Sequence, residues 1–341
     1  MPDFPLVSII TPCYNGANYL DKYFDSILNQ TYSHLELVFI NDGSTDNSEQ
    51  LAISYRKKLE DKGIIYKYIK QDNMGLPGAI NTGLRLFSGK YLTWPDCDDW
   101  MTPDCIEKKV DYLETHPNKA LVQCKCAFVN ENDLNNIVSI CGRKNTDNGW
   151  MFDDLILEKD ALFACGTYLV RSDCFAETHP TNKIYDENRA GQNYQMLLPL
   201  LYKYECGFID DVLYYYRVSD NSHSHKEKDY YSNVEKTKKH QEILEHVLDE
   251  INMPENERQK YQRIIEKKYI RKRMRLAVKY KEKRELIKHY NQLTSYKPVM
   301  VQDRILYMRS LFPPLDWCVR AALAVKRFTS KSKEEMYHDQ K

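Results

Sequence analysis

The chain has 341 residues, with 49 Lys plus Arg against 49 Asp plus Glu, and 42% of its residues are hydrophobic. That length admits two domains, or one large domain with an appendage, and the apolar fraction is enough for a sizeable core. A net charge of zero argues against nucleic-acid binding over the whole surface.

The ten cysteines include no Cys-x-x-Cys pair and no histidine at zinc-finger spacing. The N-terminus runs from Pro2-Asp3 into an apolar strand without a basic segment or signal core. The expectation is a reduced, cytoplasmic chain. No run of 18 apolar residues is present, so no membrane span is expected.

In chain order, Leu6 to Pro12 reads as a buried parallel strand, and Cys13-Tyr14-Asn15-Gly16 as a turn. Asn18 to Gln30 carries Leu20, Phe24, Ile27 and Leu28 at helical spacing. Leu35 to Ile40 is a second strand, and Asn41 to Asp46 is a Ser/Thr/Asp turn that caps a helix to about Glu60. Ile64 to Ile69 is a third strand, followed by a turn at 71–78 and a short helix over Ala79–Phe87. This β-α-β-α-β alternation predicts an α/β fold whose loops at the strand C-termini form a ligand cleft.

The next apolar run, from Lys90, ends in Asp96-Cys97-Asp98-Asp99. Two carboxylates side by side on a turn repel unless a cation or a donor lies between them. Mg²⁺ or Mn²⁺ suits such a site, with substrate phosphates completing the oxygen shell. The bland alternative is an acidic surface loop with Thr102 capping a helix that opens at Pro103.

Four motifs stand in order: Val7 to Gly16, Asn41 to Asp46, Asn73-Met74-Gly75 with Asn81-Thr82-Gly83, and Gly89-Lys90-Tyr91 leading to the acids. Together they resemble glycosyltransferase family 2 across residues 6–104, with a thinner likeness to about residue 225. The resemblance implies a GT-A fold: a Rossmann-like mixed sheet flanked by helices, here with a C-terminal helical extension. The expected division is 1–226 (nucleotide-sugar half 1–104, acceptor half 105–226), a helical region over 227–330, and a tail at 331–341.

The resemblance also implies an inverting transferase that uses a nucleotide-sugar, UDP-linked by expectation. Its acceptor would be a glycan or lipid-linked glycan in surface polysaccharide synthesis. Donor contacts fall on Thr11, Pro12, Tyr14, Asn15, Asp42, Asn73, Asn81 and Asp96. The metal falls on Asp98 and Asp96, with His225 of the closing segment as a further ligand. Many members carry an arginine where this chain has Ile80, so a cation for the diphosphate comes from elsewhere, with Lys70, Arg85 and Lys90 near in sequence, or the metal does that work alone; Arg217 could also pair with phosphate.

Many members also open a later helix with Gly-Glu-Asp, whose second acid is the general base. Aligned on Gly191, this chain has Gln192 and Asn193. An amide cannot accept a proton at neutral pH, so both are expected to hydrogen-bond on the acceptor side. Glu187 is then the first candidate base, and Asp99 or a substrate phosphate could also take the proton; Glu187 and Asp186 read nearly equally well as surface acids near a helix start.

From Asp229 to His289 the pattern is helical, with a break near Pro254. Lys267–Arg275 holds six Lys or Arg, and Ile305–Phe328 mixes apolar and basic positions. These helices fit the inner face of an anionic membrane, a packing surface or a dimer face. Two other function classes fit less well. A sugar-nucleotidyltransferase would want a Gly-rich basic loop after the first strand, and a non-catalytic nucleotide- or glycan-binding relative would not need the three acids. A dinucleotide oxidoreductase is excluded because no Gly-x-Gly-x-x-Gly follows the first strand.

Overall fold

A computed structural model describes residues 4–187, 191–218 and 229–312. The expected His225 ligand and the 331–341 tail lie outside these residues. Two compact units are present: Met1–Glu227 with Glu242–Tyr261, and Lys228–Gln241 with Gln262–Lys341.

The first unit begins with three β-α repeats. These are β1 (Val7–Cys13), α1 (Ala17–Leu28), β2 (Leu35–Asp42), α2 (Ser48–Asp61), β3 (Ile65–Gln71) and α3 (Gly75–Leu84), followed by β4 (Tyr91–Thr93). β1 and β2 are buried along their whole length, as expected of parallel strands covered on both faces. Leu20, Phe24 and Ile27 of α1 and Ala52, Tyr55 and Leu59 of α2 are buried in one core cluster. Phe24 and Tyr55 stack at 4.6 Å there. On β1, Ile9 joins this cluster, while Ile10 lies against Gly83 of α3. Alternate residues of one strand thus serve different layers.

The sheet continues through β5 (Trp100–Met101), β6 (Leu121–Asn130), β7 (Asp133–Cys141), β8 (Tyr168–Arg171) and β9 (Cys206–Val218). Strand order is β3-β2-β1-β4-β8-β6-β9-β5, with β7 paired to β6. β1 to β4 are mutually parallel, whereas β8 is antiparallel to both β4 and β6. Helices α4 (Cys105–Thr115), α5 (Phe152–Leu157), α6 (Ser172–Thr178) and α7 (Gln192–Lys203) complete the layers.

Two elements differ from the sequence reading. α3 starts at Gly75, four residues before the expected Ala79, because Pro77 falls in the first turn, where its missing N–H costs nothing. α4 starts at Cys105, after Pro103, and the Thr102 hydroxyl donates to Asp104 (2.7 Å) instead of capping the helix. Cys165–Thr167 forms a 3₁₀ turn just before β8.

The C-terminal helices are α8 (Tyr230–Glu250), α9 (Glu255–Lys279), α10 (Lys283–Thr294) and α11 (Val301–Leu311). The turn between α8 and α9 is tied to the first unit by Tyr261 donating to Asp153 (2.7 Å) and Tyr202 donating to Glu257 (3.0 Å). In the second unit, Tyr230, Ile270, Met274, Ala277, Leu286 and Leu293 form a separate small core. No described helix is long and apolar enough to cross a membrane.

Candidate active site

Parallel strands place their following loops at one edge, and here those loops are bound to each other. After β1, Asn15 sits in the left-handed region (φ 53°). Its backbone N–H donates to Ser44 (3.0 Å), and its side-chain oxygen accepts from the Thr45 N–H (2.8 Å). The Gly16 N–H donates to Ser48 (2.9 Å) and the Ala17 N–H to Asp46 (3.0 Å). A Cβ at Gly16 would lie 2.9 Å from the sulfurs of both Cys13 and Cys97, so the first loop meets the acid turn only because that position is glycine. Gly43 (φ 74°) does the same between the second and third loops, where a Cβ would lie 2.8 Å from the Asn73 backbone nitrogen. The four motifs, separated in sequence, thus meet in space.

The acid turn follows β4. Carboxylate oxygens of Asp96, Asp98 and Asp99 all lie within 4.8 Å of one another. Burial, together with the Asp98 charge, pushes the Asp96 carboxyl up to about 7. Burial also raises Asp98, against the pull of Arg217. Asp99 is driven well above the ordinary range by burial and by its two neighbours. Three acids held this close are acceptors in want of a cation, and hard oxygen ligands fit Mg²⁺ or Mn²⁺.

The supports of the turn come from distant parts of the chain. Tyr214 donates to one Asp99 oxygen (2.8 Å), and the Arg217 backbone N–H donates to the other (2.9 Å). The Cys165 thiol donates to Asp96 (3.1 Å). The buried Lys109 ammonium donates to the Gly166 carbonyl (2.7 Å), which fixes the 3₁₀ turn that carries Cys165. The Arg217 guanidinium donates to the Asp98 carbonyl (3.0 Å) and lies 4.9 Å from the Tyr19 ring centre and 5.5 Å from that of Trp100. Lys70 and Lys90 are instead paired with Glu49 and Glu114, and Arg85 donates to Thr82. Arg217 is therefore the candidate cation that lies at the acid turn.

The other expected residues divide into exposed and inward-facing groups. Tyr14 is 53% exposed, so it is not a packed core ring. Asn73 is exposed at the start of α3. Asp42 is buried and accepts from Gln71 (2.7 Å) and from the Met74 N–H (2.8 Å), so it ties the second loop to the third. Thr11 and Pro12 are buried in β1, with the Thr11 hydroxyl bonded to Tyr23. Asn81 is 2% exposed. Its amide donates to the Ile184 carbonyl (2.8 Å) and to Asp186 (3.0 Å), and its oxygen accepts from the Ile184 N–H (2.8 Å). Its hydrogen-bonding capacity is spent on locking the 184–186 segment.

On the acceptor side, the Asn193 oxygen accepts from the Trp94 indole (3.2 Å), and its amide donates to the Phe163 carbonyl (2.6 Å). It thereby braces the end of β4 just before the acids. Gln192 is half-buried at the first position of α7. Glu187 is exposed, with the Tyr185 hydroxyl 3.4 Å from its carboxylate, and it is not part of the acid cluster.

Fold and site together define a GT-A protein with a carboxylate cluster at the ends of its parallel strands. Residues 8–150 match the family model described as Glycosyl transferase family 2. An uncharacterized glycosyltransferase of Rickettsia prowazekii is 39% identical over 128 residues, 37% of this chain and 38% of that protein. The minor teichoic acid biosynthesis protein GgaB of Bacillus subtilis is 27% identical over 225 residues, 64% of this chain and 23% of that protein. The chain thus spans well under half the length of these curated relatives. Among solved structures, Staphylococcus aureus TarS 1–349 in complex with UDP superimposes with a TM-score of 0.63 at 16% identity, over 91% of this chain and 88% of that one.

Proposed function

We propose that this protein is an inverting, metal-dependent glycosyltransferase. It would move a sugar from a nucleoside diphosphate donor, UDP-linked by the simplest reading, to a hydroxyl of a glycan or lipid-linked glycan. The observation that carries this reading is the carboxylate cluster Asp96, Asp98 and Asp99, seated where four family motifs converge. Asp98 and Asp96 would hold Mn²⁺ or Mg²⁺, which when bound offsets the charge that grows on the departing diphosphate. TarS, solved in complex with UDP, supports the choice of nucleotide, and GgaB supports a role in polysaccharide synthesis.

The chain's own residues would share the remaining work. The exposed Tyr14 ring offers a stacking face for the base, and Asn73 lies against Gly43 where the second and third loops meet. Arg217, oriented by Asp99 and by two aromatic rings, supplies the fixed positive charge that Ile80 does not. Asp99 acts here as a positioning residue, because both of its oxygens already accept hydrogen bonds. Glu187, the exposed carboxylate next to the segment that Asn81 locks, is the proposed base on the acceptor hydroxyl.

Two substitutions separate these roles. Tyr14→Ala should weaken UDP binding by about tenfold, the loss of one stacked ring. Calorimetry checks this, and unchanged affinity would remove Tyr14 from the donor site. Glu187→Gln should lower turnover by about a hundredfold while leaving UDP affinity intact. A normal rate in that variant would clear Glu187 of proton transfer.

Peripheral contact with the inner face of the cell membrane stays within this proposal. On α11, Val301, Ile305 and Met308 recur at helical spacing and are exposed, beside Arg304 and Arg309.

A further inference from the structure

The second unit holds a cavity of about 360 Å³ between α8 and α9. Lys236 and His240 enter it from α8, and Lys272, Arg275 and Lys279 enter it from α9. The spacings, four residues on α8 and three and four on α9, put each set on one helical face. No carboxylate lines the cavity. Side-chain hydrogen bonds join the two helices at its borders. Asn233 donates to Tyr280 (3.0 Å), and Arg273 donates to Gln241 (2.8 Å).

Like charges gathered around one cavity repel one another. In a chain of zero net charge, four permanent cations and a histidine share one small cavity. Lys236 and Arg275 are exposed and have no ion-pair partner among the described residues. Lys272 lies 5.3 Å from the ring centre of the buried Tyr269, which sets an aromatic wall beside the charges. Surface cations of this density ordinarily interleave with acids, as Lys70 does with Glu49 and Lys108 with Asp104. A multiply charged anion would relieve the repulsion, and arginine with lysines is the donor set that takes phosphate oxygens. The volume of about 360 Å³ suits a phosphate or diphosphate ester group.

We infer that this cavity is a binding site for a phosphate ester, separate from the acid turn and independent of the donor reading. Two sources share that chemistry: a soluble phosphate ester, and the headgroup of an anionic lipid.

The test uses the full chain in EDTA, so that no divalent ion is available to the acid turn. Inorganic pyrophosphate is titrated calorimetrically, and phosphatidylglycerol–phosphatidylcholine vesicles are compared with pure phosphatidylcholine vesicles by sedimentation. The variant is Lys236→Ala with Arg275→Ala; both side chains are exposed, so the fold should hold, and circular dichroism checks that it does. Pyrophosphate binding that drops by about tenfold or more in the variant supports a soluble phosphate ester. Vesicle binding that needs phosphatidylglycerol and falls in the variant supports a lipid headgroup. Equal binding by wild type and variant to both probes, or no binding of either probe by wild type, overturns the inference.

Discussion

Asp98→Asn should lower turnover by about a thousandfold, a loss of about 4 kcal/mol in transition-state stabilisation. The amide keeps the shape of the side chain and removes the charge that would hold the cation. The same change should not unfold the protein. Asp98 is raised by burial, and its charge in turn helps to raise Asp96 and Asp99. A group whose folded pKa lies above its unfolded value works against the fold once the pH passes that unfolded value. Removing one of three crowded acids therefore relieves strain at neutral pH, and the metal-free variant should melt at or above the wild-type temperature. Lost activity with retained or raised thermal stability is the expected pair of results, from a transfer assay and a melting curve. Lost activity with a collapsed melting temperature would make Asp98 a structural residue instead.

Glu36→Gln should have the opposite profile, a loss of stability far from the chemistry. Glu36 is fully buried on β2. It accepts from Lys67 (2.5 Å), from the Ser88 N–H (2.9 Å) and hydroxyl (2.8 Å), and from Ser8. Through these it ties β1, β2, β3 and the approach to β4 into one network. The glutamine can keep some of these bonds, but it must turn an N–H₂ toward donors and leaves Lys67 without its partner. The expected cost is about 2–3 kcal/mol, or a drop of about 5–10 °C in melting temperature.

The pH dependence carries a sign. Burial would raise the Glu36 carboxyl, but Lys67 and the serine hydroxyls outweigh it and hold the carboxyl below its ordinary value. A depressed pKa contributes stability above the unfolded value and loses it as the pH falls through the folded one. The gap between wild type and variant should therefore narrow below about pH 4. A gap that stays constant down to pH 3 would assign the loss to shape and not to charge.

The first hundred residues were legible because their physics is local. Buried parallel strands read as unbroken apolar runs, α1 shows its apolar period, and the loops between them are rich in Asn, Asp, Gly and Ser. The acid turn was legible for the same reason, being four adjacent residues. The supports of that turn were not. Tyr214 reaches Asp99 across 115 positions and Cys165 reaches Asp96 across 69, and the lock of Asn81 on Ile184, across 103, was hidden in the same way.

In sequence, Asn81 and Asn193 are polar residues inside family motifs and look available to a ligand. In the fold their amides are consumed by backbone and indole partners. Arg217 was one cation among four, and only the pairing of Lys70 and Lys90 with acids and of Arg85 with a hydroxyl singles it out. The return of residues 242–261 to the first unit had no composition signal, because a helix that changes neighbours partway along keeps the same period.

The most direct measurement is a calorimetric titration of UDP into the metal-stripped protein, with and without Mn²⁺. The account predicts saturable binding that appears with Mn²⁺, is lost with EDTA and is absent in the Asp98→Asn variant. A wild-type protein that binds no UDP in the presence of Mn²⁺, or binds it equally without, would contradict a donor site built on Asp96 and Asp98.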